Sequence, residues 1–302
     1  MILSVNAMDN GSAISGEPWR MDWLSPMGVD LQINGGLGLE FPKLTFEALP
    51  RLFELLDLLW IDGIEAICPT FVSCDISELH SGLKVLREAR KHNAHNRCKL
   101  LGAHLEGPFL DKAYRGAHSL DHLCLPNLSL LSQLIEGFED EIALFTLAPE
   151  LEGSLEVIKM LKQKKIVICL GHSSADYKQS RVAFDNGVSM ITHAFNAMRG
   201  LHHRSPGPVG EAIKNGTVAI GLIADGVHVH PNIAVLLQKL ALKKLVLVSD
   251  AISPYGLKEG KYKWDKRVVY SEEDSCRLED GTLAGSTVSQ LKACQNLAQW
   301  SR

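Results

Sequence analysis

Apolar and polar positions divide the chain into two kinds of segment. Short apolar runs rich in Val, Ile and Leu recur, and longer segments with apolar residues at helical spacing lie between them. Such runs are typical of strands in a parallel sheet that is buried on both faces. There are eight runs, at residues 28–35, 66–73, 100–107, 143–150, 167–174, 190–197, 218–229 and 245–251. Eight strands that alternate with helices predict an α/β protein with a closed (β/α)₈ TIM-like barrel rather than an open sheet.

The same pattern divides the chain into two regions. We assign residues 28–302 to the barrel and residues 1–27 to a lead-in segment. Amphipathic helices are predicted within residues 46–63, 78–93, 154–165, 232–244 and 289–300. The polar segment 256–281 follows the eighth run and has a few alternating apolar positions, which predict a hairpin-like excursion from the barrel.

Composition and charge exclude several classes of partner. The net charge is -4 and Lys and Arg are scattered, so we expect no nucleic-acid partner. No apolar stretch reaches the roughly 20 residues of a membrane helix, and no basic segment followed by an apolar core opens the chain. The seven cysteines are odd in number and contain no CxxC pair. We therefore expect reduced thiols and a cytoplasmic protein without membrane contact.

Polar, chemically capable residues stand at the carboxyl ends of the apolar runs. Active sites of this fold lie at those ends of the strands and in the loops that follow them. Residues of this kind end most of the runs, namely Gln32, Asn34, Glu106, His172, His193, Asp225, His228 and Asp250. A single polar strand end is commonly a helix N-cap, but repeated polar ends favour a site at the barrel mouth.

Three of these residues have the composition of a metal site. Glu106, His172 and His193 follow three different strands, and two imidazoles with one carboxylate are typical of a catalytic zinc or iron(II) site with an open position. Any one of them alone is more often a packing residue. Asp250, across the mouth, could take a proton from a water at the metal or could cap a helix, and we favour the base. His104 lies deeper on the strand of Glu106 and is expected to pack or to support the ligands.

Ten motifs, in order from about residue 28 to residue 298, carry a resemblance to a known family. They are DLQINGG, HLEGPFL, RGAH, TLAPE, GHSSADY, THAFNAM, HRSPG, ADGVHV, VSDAISPYG and DGTLAGS. In these motifs and their order the chain resembles the N-acetylglucosamine-6-phosphate deacetylases of the amidohydrolase superfamily. The resemblance implies hydrolysis of the acetamide of an amino-sugar phosphate, with release of acetate.

The resemblance also implies a role for each matching residue. Glu106, His172 and His193 would bind the metal, Asp250 would be the general base and acid, and His118 would stabilise the developing oxyanion. The implied sugar-phosphate contacts are Ala117, His118, Asn196, Ala197, Arg204, Asp225, Gly226, Val227, His228, Leu283, Ala284 and Gly285. Arg204 suits this assignment because a guanidinium group offers a rigid fork of donors to phosphate oxygens.

The first motif indicates how many metal ions the site holds. Many two-metal amidohydrolases share a His-x-His motif at the end of the first strand. This chain has Gln32 and Asn34 at those positions. Neutral amides are poorer zinc ligands than imidazoles. We therefore expect one divalent ion per subunit, zinc with iron as the alternative, and hydrogen bonds from Gln32 and Asn34 to residues around it.

The resemblance implies two further features of the molecule. Members of the family carry a small β-sandwich built from segments on both sides of the barrel, and with 27 residues before the first strand we expect it to be abbreviated or missing, with its remnant in residues 1–27. Members also form homodimers in which one subunit completes the phosphate site of the other. In this chain we expect that contact near Arg204 and His228.

Two other functions remain open at the level of the sequence. One is another amidohydrolase, a deaminase or cyclic amidase, with the same metal ligands but no sugar phosphate. The other is an inactive relative that only binds amino-sugar phosphates. The HRSPG and THAFNAM segments argue against the first, and retention of Asp250 argues against the second, because a binding protein needs no base.

Overall fold

The barrel strands form at the eight predicted apolar runs. The computed structural model describes residues 26–92 and 94–302. The strands are β1 (Gly28–Ile33), β2 (Ile64–Val72), β3 (Ala103–Glu106), β4 (Ile142–Leu147), β5 (Val167–Leu170), β6 (Val188–Ile191), β7 (Ala219–Leu222) and β8 (Leu245–Leu247). Each strand pairs in parallel with the next along the chain. This is the order that a (β/α)₈ barrel requires.

Backbone contacts just beyond β1 and β8 bring the two ends of the sheet together. Ile33 forms a parallel bridge with Ala251. The Asn34 amide donates to the Ala251 carbonyl at 2.7 Å, and the Asp250 amide donates to the Gln32 carbonyl at 2.9 Å. The predicted fold class is therefore confirmed. Closure also fixes Gln32 and Asn34 beside Asp250.

Helices follow the strands around the outside of the barrel. They are α1 (Leu49–Ile61), α2 (Ile76–Ala89), α3 (Leu128–Ile135), α4 (Ser154–Gln163), α5 (Tyr177–Asn186), α6 (Gly207–Asn215), α7 (Pro231–Ala241) and α8 (Gln290–Trp300). Their apolar faces pack on the strands and form one large core. Among the described helices, none has the length and apolar character that a membrane crossing requires.

A second, smaller core fills the barrel interior below the mouth. It consists of Cys68, Leu144, Cys169, Met190, Ile223 and Val248, which come from six different strands or the residue directly after them. Inward-pointing side chains of neighbouring strands stack in layers of this kind in TIM barrels. The interior is therefore a packed floor for the residues at the mouth.

A four-stranded antiparallel sheet lies beside the barrel. Its strands are β9 (Gly260–Trp264), β10 (Arg267–Glu272), β11 (Ser275–Leu278) and β12 (Leu283–Ser286), paired in chain order. The predicted hairpin over 256–281 therefore forms only part of this sheet, which also takes in the TLAGS motif as its last strand. The Ser286 amide donates to the Asp250 carbonyl at 3.0 Å, and the Ile252 amide donates to the Ser286 carbonyl at 3.1 Å. These bonds tie β12 to the barrel mouth.

The boundary between the lead-in segment and the barrel stays a prediction. The sandwich remnant expected in residues 1–27 lies outside the described residues, except for Pro26 and Met27. The barrel begins at Gly28, where the first apolar run begins.

Candidate metal and active site

Three buried side chains converge at the barrel mouth. Glu106 is the last residue of β3, and His172 and His193 each lie two positions beyond the ends of β5 and β6. Glu106 Oε1 lies 3.3 Å from His172 Nε2 and 3.2 Å from His193 Nε2. The two Nε2 atoms are 3.0 Å apart. The structure thus brings the three predicted ligands together.

The donor atoms of this cluster fit a single divalent cation. His172 Nδ1 lies 3.0 Å from the carbonyl oxygen of Tyr114, which can only accept, so Nδ1 carries the proton and Nε2 presents a lone pair. Ligands of a tetrahedral zinc ion with bonds near 2.1 Å lie about 3.4 Å apart, close to the spacing of these three atoms. A cation between the lone pairs would remove their mutual repulsion.

The charges of the cluster depend on one another. Burial alone would raise the pKa of Glu106, but the imidazoles of His118, His172 and His193 around its carboxylate outweigh this effect and hold the pKa well below its usual value. Glu106 is therefore an anionic ligand. Below the cluster, burial lowers the pKa of His104 to about 4, so this imidazole is neutral. His104 hydrogen-bonds Thr146 at 2.7 Å and Thr70 at 3.3 Å, as expected for a residue that packs beneath the site.

Asp250 stands opposite the cluster and is held by two amide side chains. Its Oδ1 accepts from Asn34 Nδ2 at 2.7 Å and from Gln32 Nε2 at 3.1 Å. The same Gln32 Nε2 donates to Glu106 Oε1 at 3.0 Å. Desolvation, followed by the charge of Glu106, raises the pKa of Asp250. With Oδ1 occupied by two donors, Oδ2 is the oxygen of Asp250 that remains for a proton.

A glycine next to Asp250 allows the close approach of β12. Gly285 has a φ of +106°, and a Cβ there would come within 2.7 Å of both the Asp250 carbonyl oxygen and Ile252 Cγ2. Because only glycine tolerates this conformation and this contact, the TLAGS motif can lie directly against Asp250. The backbone of Asp250 is thereby fixed from both sides.

His118 reaches the cluster from the loop that follows β3. Its Nε2 lies 3.7 Å from Glu106 Oε2. Its Nδ1 lies 3.4 Å from the backbone N–H of Ser73, which donates to it, and 3.0 Å from Ser73 Oγ. A nitrogen that accepts from a backbone amide is unprotonated, so Nε2 carries the proton of the neutral ring. His118 therefore presents an N–H donor to the space above Glu106.

A cavity of about 330 Å³ opens above these groups. Its walls include eight of the sugar-phosphate contacts that the resemblance implies: Ala117, His118, Asn196, Ala197, His228, Leu283, Ala284 and Gly285. Glu106, His172, His193 and Asp250 line the same space, as does Asn34. Trp264 of β9 and residues 282–285 of the TLAGS motif also line the wall.

Four of the predicted contacts do not line this cavity. Arg204 is exposed, and its guanidinium hydrogen-bonds the neighbouring His203 at 2.8 Å. Gly226 and Val227 lie in the loop after β7. Asp225 Oδ2 accepts from His228 Nδ1 at 2.6 Å, which leaves His228 Nε2 for a ligand. Burial alone would raise the pKa of Asp225, but the hydrogen bond from His228 outweighs it and the pKa is lowered.

Comparison with known proteins identifies the family. No family model matches the chain. The chain is 34% identical over 277 residues to the N-acetylgalactosamine-6-phosphate deacetylase of Escherichia coli O157:H7, which covers 91% of this chain and 72% of the relative. It is 36% identical over 279 residues to the N-acetylglucosamine-6-phosphate deacetylase of Danio rerio, which covers 90% and 68%. The chain belongs to the N-acetylglucosamine-6-phosphate deacetylase family.

A solved structure of this deacetylase family has the same fold. The Mycobacterium smegmatis N-acetyl-D-glucosamine-6-phosphate deacetylase in complex with N-acetyl-D-glucosamine-6-phosphate matches with a TM-score of 0.83 at 28% identity, over 91% of this chain and 71% of that chain. The family assignment therefore agrees between sequence and fold.

The deacetylase site contains residues that sequence reasoning did not single out. Ser73 contacts His118, the Tyr114 carbonyl accepts from His172, and Trp264 and Ile252 line the cavity. Ser73 is the last residue of the second apolar run, where a polar strand end was a usable signal. Trp264 is an apolar residue within a polar segment, and its position over the mouth depends on how the second sheet docks.

Proposed function

We propose that this chain hydrolyses the acetamide bond of N-acetylglucosamine 6-phosphate to glucosamine 6-phosphate and acetate, in the breakdown and recycling of amino sugars. The observation that carries the proposal is the convergence of Glu106, His172, His193, Asp250 and His118 on one cavity. Family membership supports the same reaction, since the Danio rerio relative is named N-acetylglucosamine-6-phosphate deacetylase.

One divalent ion belongs to the proposed site. Glu106, His172 and His193 would hold it, and we propose zinc, with iron as the alternative, because nitrogen and oxygen ligands suit both. When bound, the ion would polarise the acetamide carbonyl and acidify the attacking water. Gln32 and Asn34 donate their amide N–H groups to carboxylates instead of adding imidazoles, which supports a single ion.

Asp250 is the proposed general base and acid. As the water oxygen bonds to the carbonyl carbon, Asp250 Oδ2 accepts the proton, while Oδ1 stays fixed by Asn34 and Gln32. Asp250 then returns that proton to the nitrogen as the C–N bond breaks. A raised pKa suits a carboxylate that must both take and return a proton near neutral pH.

His118 is the proposed oxyanion donor. Its Nε2–H faces the cavity beside Glu106, and the amide oxygen gains negative charge as the water adds. A donor already oriented toward that oxygen stabilises the transition state without reorganisation. Ser73 holds the far side of the ring and so supports this orientation.

The remaining cavity residues are proposed to bind the sugar phosphate. Ala117, Asn196, Ala197, His228 and the TLAGS residues 283–285 line the space beside the reacting groups. Asp225, with Gly226 and Val227, would hold His228 in place. Contacts remote from the bond that breaks supply binding energy and orientation, so phosphate binding would favour phosphorylated over free sugar.

We further propose that the protein is a cytoplasmic homodimer. A groove of about 330 Å³ next to the site is lined by residues of α6, α7 and the loop after β6. Leu201, Ile233, Leu236 and Leu240 are each 41–46% exposed there. A second copy seated on this groove would cover them and would lie near Arg204. All seven cysteines are described and none is paired, which supports a reducing compartment.

Acetate release from a small substrate panel tests the proposed function. Metal-loaded protein is expected to release acetate from N-acetylglucosamine 6-phosphate much faster than from unphosphorylated N-acetylglucosamine. N-acetylgalactosamine 6-phosphate belongs in the panel, because the Escherichia coli relative is named for it. Folded, metal-loaded protein that binds the phosphorylated sugars without releasing acetate would contradict the proposal and favour a binding protein.

A further inference from the structure

The cavity above the metal cluster has two chemically different walls. The barrel side presents Glu106, His172, His193 and Asp250, all of them polar. The apolar lining residues Ile252, Trp264, Leu283 and Ala284 come from the second sheet and from the segment that connects it to β8. A ligand with one apolar end and otherwise polar groups would be oriented by this division.

The apolar wall lies next to both proposed reacting side chains. Ala117 directly precedes His118, and Ile252 lies two residues after Asp250. Both pack in one buried cluster with Trp264 and Ala284. Apolar surface of the cavity therefore lies beside the two residues that are proposed to act on the carbonyl group.

Trp264 is the largest side chain of this wall, and it is held firmly. Only 5% of it is exposed. The guanidinium of Arg267, its partner across the β9–β10 hairpin, lies 5.0 Å from the centre of the Trp264 ring system. Arg267 Nη2 also donates to the Ala117 carbonyl at 2.7 Å. The hairpin that carries Trp264 is thereby linked to the loop of His118.

We infer that Trp264 forms the end wall of the pocket for the N-acyl group and restricts the substrate to a short acyl chain. This inference rests on the proposed function. In an N-acylated amino-sugar phosphate the hydroxyls and the phosphate are polar, and the acyl methyl is the apolar group bonded to the reacting carbonyl carbon. That methyl must therefore meet the apolar wall, and each added methylene must be accommodated against the Trp264 ring.

The test compares acyl chain lengths on variants of Trp264. The kcat/KM for carboxylate release is measured with N-acetyl, N-propionyl and N-butyryl glucosamine 6-phosphate on full-length, metal-loaded protein. Trp264→Ala is expected to raise the butyryl-to-acetyl ratio of kcat/KM at least about tenfold, since one methylene in an apolar pocket changes discrimination by about 10- to 200-fold. Trp264→Phe is expected to give a smaller rise.

Val269→Ala is the matched control. Val269 is fully buried in the same cluster as Trp264 but does not line the cavity. Its loss should lower the melting temperature and leave the acyl ratio unchanged. Trp264→Leu serves if the alanine variant does not fold.

The outcomes separate this inference from the proposed function. If wild-type protein releases acetate and the folded Trp264 variants keep the wild-type acyl ratio, the assignment of Trp264 is overturned and the deacetylase proposal stands. If wild-type protein releases no carboxylate from any of the three substrates, the proposed function fails and this inference fails with it.

Discussion

Several residues of the site have backbone conformations that side chains rarely adopt. His172, His193 and Asp250 have φ values of 48°, 25° and 49°. A left-handed conformation costs a non-glycine residue about 1–2 kcal/mol, and it persists where the surroundings fix it. Here the neighbouring barrel strands and the hydrogen bonds of the loops fix the backbone of these three residues. The sequence could supply these residue types and their order, but not the dihedral angles that aim them.

Asp30 is a buried acid of β1 that sequence reasoning did not single out. Its Oδ1 accepts from the backbone amides of Gln32 and Ser249, both at 3.2 Å, so it links β1 to the segment that follows β8. Its Oδ2 has no hydrogen-bond partner among the described residues. Desolvation by burial raises the pKa of Asp30 to about 7.

The pH dependence of stability should report this carboxyl group. Between about pH 4 and the raised pKa, folded protein keeps a proton that the unfolded chain has lost. Its contribution to the free energy of unfolding therefore falls by about 1.4 kcal/mol per pH unit as pH rises, and levels off above the folded-state pKa. Asp30→Asn keeps the shape and the accepting oxygen but cannot ionise.

Denaturant unfolding of the two proteins at a series of pH values checks this expectation. The free energy of unfolding of Asp30→Asn, relative to wild type, should rise from pH 5 to pH 7 and then stay constant. Parallel pH profiles would show that Asp30 has the same pKa in the folded and unfolded states.

At the scale of elements, the strands were predictable and the loops between them were not. All eight apolar runs contain a strand, but the runs extend past the strands into the loops that hold His172, His193 and Asp250. Helices α1, α2, α4, α7 and α8 lie at predicted amphipathic segments. Three helices escaped prediction: α3 has only eight residues, α5 is mostly polar, and α6 begins with Gly-Pro and contains a second glycine.

The loop after β5 depends on a carboxylate from the loop after β4. Glu150 accepts from Ser173 Oγ at 2.6 Å and from the Ser174 amide at 2.6 Å, directly after His172. Glu150→Gln replaces one acceptor oxygen with an NH₂ group that faces these donors. We expect metal affinity to fall about 10- to 100-fold, as for the loss of other groups that support ligands. Competition with a chelator measures it.

Glu152→Gln provides the control for this substitution. Glu152 is exposed in the same loop, so its change to Gln should leave metal affinity as in wild type. Unchanged affinity in Glu150→Gln would show that His172 keeps its position without the carboxylate.

At the scale of the whole molecule, the unpredicted feature is how the second sheet meets the barrel. Alternating apolar residues in segment 256–281 predicted strands, but the pattern along one segment does not say which surface it covers. The docking depends on contacts far apart in sequence, such as the bond from Arg267 to the Ala117 carbonyl. Trp264 therefore becomes part of the site only in the folded molecule.

The proposed dimer gives a prediction at this scale. Leu236→Glu places a charge on the apolar groove beside the site, and burial of an unpaired charge is costly. Sedimentation velocity should then show a monomer where wild type sediments as a dimer. Leu155→Glu, on the exposed face of α4 outside the groove, should remain dimeric. A Leu236→Glu protein that still sediments as a dimer would place the interface elsewhere.

In the proposed mechanism one metal ion is bound and Asp250 moves the proton. The most direct test measures acetate release from N-acetylglucosamine 6-phosphate together with bound metal per chain, in wild type and in Asp250→Asn. We predict about one divalent ion per chain in both proteins, with kcat lower by about 10²- to 10⁴-fold in the variant, the usual range for loss of a general acid or base. Comparable turnover by a metal-loaded Asp250→Asn protein, or full turnover by wild type after chelation of its metal, would rule out this mechanism.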